Sequence, residues 1–174
     1  IGGYLGKPIS KGDVLSFGIN KDFIKPIIFR KLLDINVSKI RIISGLQRNF
    51  FNDKAWVNFI SNPFTVSNLS NRMGIRLDGN KIPSTNGSEI ITEGVPLGAI
   101  QVPGSGDPII SFVEHQTTGG YPKIANVIIA DIHKVGQLKP GDKFQFDLVS
   151  KEEAEQLRLE QMSFIKNLKN NDQY

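Results

Sequence analysis

The chain has 174 residues, with 39% hydrophobic and 22% charged residues and a net charge of +4, which is enough chain for one domain with a sizeable core. Lysines and arginines are scattered rather than gathered into a stripe, so nothing favours a nucleic-acid partner. There is no cysteine and histidine is confined to His115 and His133, which excludes a disulfide framework and a thiolate metal site and leaves no basis for a zinc site.

No apolar run reaches membrane-spanning length, and no secretory signal is visible. A cytoplasmic location without membrane contact is therefore expected. The chain opens on Ile1-Gly2-Gly3 rather than Met, which reads as the interior of a longer polypeptide.

Lys11-Gly12-Asp13 reads as a turn feeding a short alternating strand, Val14 to Phe17. Residues 137–146 repeat the pattern: apolar, two residues, Gly-Asp, one residue, apolar, one residue, Phe. Either Gly-Asp is simply a common turn here, or an internal repeat closes two β-units. Residues 21–36, with Pro26 and Ile27-Ile28-Phe29 beside Arg30 and Lys31, read as linker with a short extended piece. The expected division is 1–36 as the tail of an earlier unit plus linker, 37–150 as the main domain, and 151–174 as a C-terminal helix and tail.

Ile40-Arg41-Ile42-Ile43 alternates as a strand. Residues 52–60 carry Trp56, Phe59 and Ile60 on one helical face, with Asn52 or Asp53 as cap and Asn62-Pro63 as the stop. Strands are predicted at Phe64–Val66, Ile75–Leu77, Ile90–Thr92, Ala99–Val102, 109–113, 124–130 and Phe144–Val149, with one helical turn at 131–136. Ser150 and Glu153 form a capping box for a final helix to about Leu168. Leu157, Phe164, Ile165 and Leu168 are its expected packing face. Many short strands favour a closed or nearly closed barrel, which leaves no long exposed edge.

Between the strands at 109–113 and 124–130 lies the most unusual stretch, His115-Gln116-Thr117-Thr118-Gly119-Gly120-Tyr121-Pro122-Lys123. It combines hydroxyls, an amide, glycines that allow close backbone approach, and a cation. Such a loop on rigid elements suits binding or catalysis. An ordinary hairpin connection is the plain alternative. His115 alone is a hydrogen-bonding residue before it is a general base. The loop is no phosphate-binding Gly-x-x-x-x-Gly-Lys motif, and no nucleophile elbow occurs.

Two further segments contain glycine and polar residues that interrupt a strand pattern: Asn71 to Leu77 and Glu93 to Pro103. If Arg72, Arg76, Gln101 and Lys123 converge on one concave surface, they make an anion site, and Glu93 can pair with one of the bases. A solvated strand face is the equal alternative for Arg72 and Arg76.

The stretches Arg72-Met73-Gly74-Ile75-Arg76-Leu77, Glu93-Gly94-Val95-Pro96-Leu97-Gly98-Ala99-Ile100-Gln101-Val102-Pro103 and Gln116-Thr117-Thr118-Gly119-Gly120-Tyr121-Pro122-Lys123-Ile124-Ala125 resemble the biotin-dependent carboxyltransferase-like family, also called allophanate hydrolase subunit 2. That resemblance implies a mainly β fold: a cyclophilin-like closed antiparallel β-barrel with a few short helices and a C-terminal helix. It implies an enzyme subunit of an ATP-dependent 5-oxoprolinase, which opens the lactam of 5-oxo-L-proline to glutamate with ATP and Mg²⁺ and companion subunits of the A and B type. Gln116, Thr117, Thr118 and Lys123 are then candidate catalytic groups. Arg72, Arg76, Glu93, Gln101, Gly119, Gly120 and Tyr121 are candidate ligand contacts, and no metal ligand is expected in the chain itself. The same resemblance also covers carboxyl transfer to urea from biotin on a partner, and a non-catalytic regulatory protein of the KipA type. No role carries over to His115.

Overall fold

The computed structural model describes residues 4–18 and 33–170, the side chains of 169 and 170 excepted. The chain forms two compact units, 1–31 and 32–174.

In the first unit the Gly-Asp turn is built as expected. Gly12 takes φ +99°, Asp13 N–H donates to Ser10 O (3.1 Å), and Asp13 Oδ2 accepts from Ser10 N–H (2.8 Å). The turn at Gly141 repeats this geometry: φ +89°, Asp142 N–H to Lys139 O (3.0 Å), and Lys139 N–H to Asp142 Oδ2 (3.0 Å). The carboxylate folds back on the N–H three residues earlier, and only glycine enters the left-handed conformation without strain. The strands that follow differ. Residues 14–18 pair with no strand among the described residues and expose Val14 and Phe17, so the strand predicted there is corrected to unpaired chain. Most of the linker predicted at 21–36 lies outside the described residues.

The second unit is a closed seven-stranded barrel. Its strands are β1 (Lys39–Ser44), β2 (Phe64–Val66), β3 (Gly74–Asp78), β5 (Ala99–Gln101), β6 (Ile109–Ser111), β8 (Lys123–Val127) and β9 (Lys143–Leu148), in the spatial order β1-β8-β5-β6-β3-β2-β9. A separate two-stranded sheet joins β4 (Glu93–Gly94) to β7 (Thr118–Gly119). The barrel closes through β1 and β9, which run parallel. It is therefore antiparallel in every other pairing but not in this one. Closure satisfies the backbone groups that an open edge would leave exposed.

Inside lie alternate residues of most strands, Ile40, Ile42, Phe64, Ile75, Leu77, Ile100, Ile110, Phe144 and Phe146, with Ile124, Ala125 and Val127 from β8. Helix α1 (Asp53–Ser61) is capped by Asn52, whose Oδ1 accepts from Ala55 N–H at 2.8 Å. It sends Ala55 and Phe59 into this core, where Phe59 stacks on Phe146 at 4.7 Å. Trp56 and Ile60 pack at the margin.

Two expectations change here, and the plain hairpin alternative for the central loop is ruled out. Ile90–Thr92 is not a strand; pairing begins at Glu93, because Ile90 N–H is taken by Gly120 O instead. The strand predicted at 124–130 starts at Lys123, ends at Val127, and gives way to a 3₁₀ turn (Ile129–Asp131) and the short helix α2 (Ile132–Val135). The strands at 109–113 and 124–130 are not neighbours, because β5 pairs with both and sits between them. The central loop is thus a crossing over β5 rather than a hairpin.

At the end of the 3₁₀ turn, the fully buried Asp131 accepts from Arg41: backbone N–H and Nε to Oδ2 (2.9 and 3.0 Å) and Nη2 to Oδ1 (2.6 Å). Helix α3 (Lys151–Asn170) begins at Ser150, whose Oγ accepts from Glu153 N–H at 3.0 Å. Its half-buried residues are Ala154, Leu157, Arg158, Gln161, Phe164 and Leu168, a spacing of three to four. Ile165 is exposed, a correction: it lies one residue past Phe164 and so turns off that face.

Candidate ligand-binding site

The register of four barrel strands sets out the site. Arg76 on β3 faces Ile109 on β6, Ile109 faces Gln101 on β5, and Gln101 faces Lys123 on β8. Directly opposed residues share a face of the sheet. The inward faces of β3, β6 and β5 belong to Ile75, Ile110 and Ile100, so with a period of two Arg76, Ile109 and Gln101 lie on the outside of the barrel. The register shifts by one residue between β5 and β8 at Ile100/Gln101, which brings Lys123 opposite Gln101 and leaves both Ile124 and Ala125 in the core. Gly74 faces Ser111 on the same side.

The crossing segment roofs this outer face. Val95 N–H donates to Thr117 O, Ile90 N–H to Gly120 O and Val102 N–H to Pro122 O. The β3–β6 ladder also extends upward: Phe112 N–H reaches Met73 O, and Glu114 N–H reaches Arg72 O. Between wall and roof lies a cavity of about 170 Å³, lined by Arg76, Gln101, Ser111, His115, Gln116 and Tyr121 with Asn71, Met73, Gly74 and Ile109. Its lining contains one cation and no carboxylate. A second cavity, of about 260 Å³, shares Arg76, Ile109 and Tyr121 with the first and extends to Asp78 and Asp107.

Two groups in the cavity lack partners among the described residues. Gln101 is only 4% exposed, its Oε1 is 3.5 Å from Ser111 Oγ, and its Nε2 is buried without a hydrogen bond. Arg76 has no carboxylate partner among the described residues, whereas Arg41, Arg48, Arg72 and Arg158 each have one. An unmade buried hydrogen bond costs about 1–3 kcal/mol. The orphaned amide therefore stands out, since the other buried side-chain polar atoms of the described residues are satisfied. His115 Nδ1 lies 2.7 Å from Gln116 O. A carbonyl only accepts, so the ring hydrogen sits on Nδ1 and Nε2 is left able to accept.

Next to the cavity is a closed polar ring. The Lys123 ammonium is buried and bonds Glu93 Oε1; Gln47 Nε2 donates to the same oxygen at 2.7 Å; and Lys123 N–H donates to Gln47 Oε1 at 3.2 Å. The Lys123 ammonium, aided by the Gln47 amide and against the cost of burial, holds the Glu93 carboxyl below its ordinary range. Lys123 is thus the first residue of β8, with its charge already neutralised, and not a loop cation open to solvent.

The structure therefore gathers Arg76, Gln101, Gln116 and Tyr121 in one cavity. Gly119 adjoins it: a Cβ there would stand 2.9 Å from Gln101 Nε2 and 3.2 Å from Gln116 Nε2. Arg72 lies outside, paired with Glu114 at 2.6 Å and 71% exposed. Thr117 and Thr118 are exposed on the roof, Gly120 lies against Ile90 O, and Glu93 belongs to the ring with Lys123. Sequence reasoning passed over Ser111 and Asn71 as lining residues. Ser111 carried a signal, a lone hydroxyl in the apolar run Ile109 to Val113. Among the described residues, no group of three or more His, Asp or Glu is placed to hold a metal.

Comparison with known proteins bears on this arrangement. The family model for the carboxyltransferase domain, subdomain A and B, matches residues 1–148. The C-type subunit of the 5-oxoprolinase of Escherichia coli is 36% identical over 169 residues, covering 97% of this chain and 54% of that protein. The urea amidolyase of Saccharomyces cerevisiae is 30% identical over 192 residues, covering 97% of this chain and 10% of that protein. The crystal structure of the K. lactis urea amidolyase superposes with a TM-score of 0.69 at 31% identity, over 74% of this chain and 8% of that one. The chain spans about half the length of its bacterial relative and a small part of the fungal ones. With the barrel, the roofed outer face and a match over most of its length, the chain belongs to the carboxyltransferase-domain family, subdomains A and B.

Proposed function

We propose that this chain is part of a subunit of an ATP-dependent 5-oxoprolinase that hydrolyses the lactam of 5-oxo-L-proline to glutamate. The observation that carries this reading is 36% identity to the C-type subunit of a 5-oxoprolinase, across 97% of the chain. An unstrained amide is a poor electrophile, so its opening depends on activation and on close placement of the substrate. The cavity suits the placement. Its 170 Å³ compares with an engineered cavity of about 150 Å³ that admits benzene, so it accommodates a molecule of small-lactam size. It does not suit ATP with Mg²⁺, being too small and without a carboxylate to meet the cation. In this reading ATP is held by companion subunits of the A and B type, and the residues here bind and orient the small substrate. The matched turns at Gly12 and Gly141 support reading residues 7–17 as a counterpart of 136–146 in a repeated β-unit.

A second reading is carboxyl transfer to urea from carboxybiotin on a partner. It is favoured by 30% identity to a urea amidolyase over the same 97%. The test is glutamate formation from 5-oxo-L-proline and ATP by the protein assembled with its companion subunits. Turnover that is lost on omitting this protein is the expected result. Biotin-dependent carboxylation of urea instead would favour the second reading. Neither activity in a fully assembled complex would overturn both and leave a regulatory role.

A further inference from the structure

We infer that the cavity recognises its ligand by two chemically distinct ends: a neutral carbonyl oxygen at Gln101 on the floor, and a carboxylate at Arg76 at the mouth. The inference rests on the reading of this cavity as the substrate site and deepens it. The ligand class it specifies is a small cyclic amide bearing a carboxylate.

The placement follows from desolvation. A bare carboxylate loses much more than a carbonyl on leaving water, so the charged end belongs where solvent still reaches. Arg76 is exposed; Gln101 is 4% exposed. Arg76 is the guanidinium without an acid partner among the described residues, and its planar fork matches a carboxylate. The Gln101 amide is oriented by Ser111, whose Oγ approaches Oε1, so its NH₂ is the end left to give. It needs an acceptor. The absent side chain at Gly119 lets the Gln101 and Gln116 amide nitrogens approach the same stretch of roof, which a Cβ there would crowd at 2.9 and 3.2 Å. Arg76 and Gln101 stand on either side of Ile109 in one register row, which gives the ligand ring an apolar bed between its polar ends.

Three probes separate the ends: 5-oxo-L-proline has both, pyrrolidin-2-one has the carbonyl alone, and cyclopentanecarboxylate has the carboxylate alone. Affinities are read by ligand-observed NMR titration of the whole protein. Arg76→Met should weaken the two carboxylates about tenfold or more and leave pyrrolidin-2-one unchanged. Gln101→Met should weaken the two lactams about two- to tenfold and leave cyclopentanecarboxylate unchanged. A residue kept only for structure would not sort probes in this way. Because Gln101→Met removes an unsatisfied buried donor, its Tm should equal or exceed that of the native protein. Should it fail to fold, Gln101→Leu, which also lacks the donor and adds no charge, should lose the lactams likewise.

The inference is overturned if all probes respond alike to each substitution, or if none binds the native protein. If the probes sort as expected while the assembled complex fails to hydrolyse 5-oxoproline, the functional proposal falls and the two-ended cavity stands. If the complex is active while the probes do not sort, the reverse holds.

Discussion

Lys123 and Glu93 are joined across β8 and β4 by an ion pair whose cationic side chain is 4% exposed and whose acidic side chain is 39% exposed. The pair anchors the small β4–β7 sheet to the barrel wall, and Gln47 completes it. The ring therefore holds the roof of the cavity in place without lending the cavity its charge.

Removing the acid should be worse than removing both charges. Glu93→Gln leaves a buried ammonium uncompensated and should lower stability by about 2–3 kcal/mol, tempered by the half-exposed position of the acid. Lys123→Met with Glu93→Gln should recover most of that loss. Denaturant midpoints of the single and double variants test it; a double variant as unstable as the sum of both singles would contradict the pairing.

Gly45 follows β1 and lies against the backbone of β8. A Cβ there would fall 2.2 Å from Lys123 O and 2.7 Å from Ala125 N. Backbone atoms cannot turn aside as a side chain does, so Gly45→Ala should cost about 3 kcal/mol or more, at the overpacked end of the scale. Gly94→Ala meets nothing within 4 Å and should leave Tm within about 2 °C, as for a surface change under 0.5 kcal/mol.

Asp131 contributes to the acid limb together with the other lowered carboxyls, and it is the buried one among them. Burial pushes its carboxyl up, but donation from the Arg41 guanidinium and backbone N–H outweighs this and holds it below the ordinary value. A carboxyl lowered by folding contributes stability that is complete above its unfolded value, about 3.9. That contribution is lost as pH falls from there through the folded value. Stability should therefore decline below about pH 4, and Asp131→Asn, less stable at neutral pH, should show a shallower acid decline. Melting curves from about pH 3 to pH 7 check both.

Asn52→Ala removes the oxygen that accepts from Ala55 N–H and should cost about 1 kcal/mol. Asn52→Asp, which keeps an acceptor and adds a favourable charge at the helix N-terminus, should restore it. Thermal unfolding of the two variants decides; equal loss in both would place the effect elsewhere.

Local signals in the sequence determined the elements that depend on nearby residues. Asn52 and Ser150 are caps because the oxygen and the N–H it meets are three residues apart, and the Gly-Asp turns close within four. Alternation in Ile75-Arg76-Leu77 marks β3 as a strand with Arg76 on its polar side, whereas that Gln101 shares this outer face follows from the pairing of both residues with Ile109. Tertiary structure alone decided that β5 lies between β6 and β8, because the order of strands is set by pairing over long separations and not by the pattern within any strand. It also decided which cations are already paired. Arg72 and Lys123 carry the same formal charge as Arg76, but Glu114 and Glu93, distant in sequence from them, occupy the first two. Coulomb attraction acts between groups that folding brings together, so the unpaired guanidinium of Arg76 among the described residues and the orphaned amide of Gln101 exist only in the folded chain.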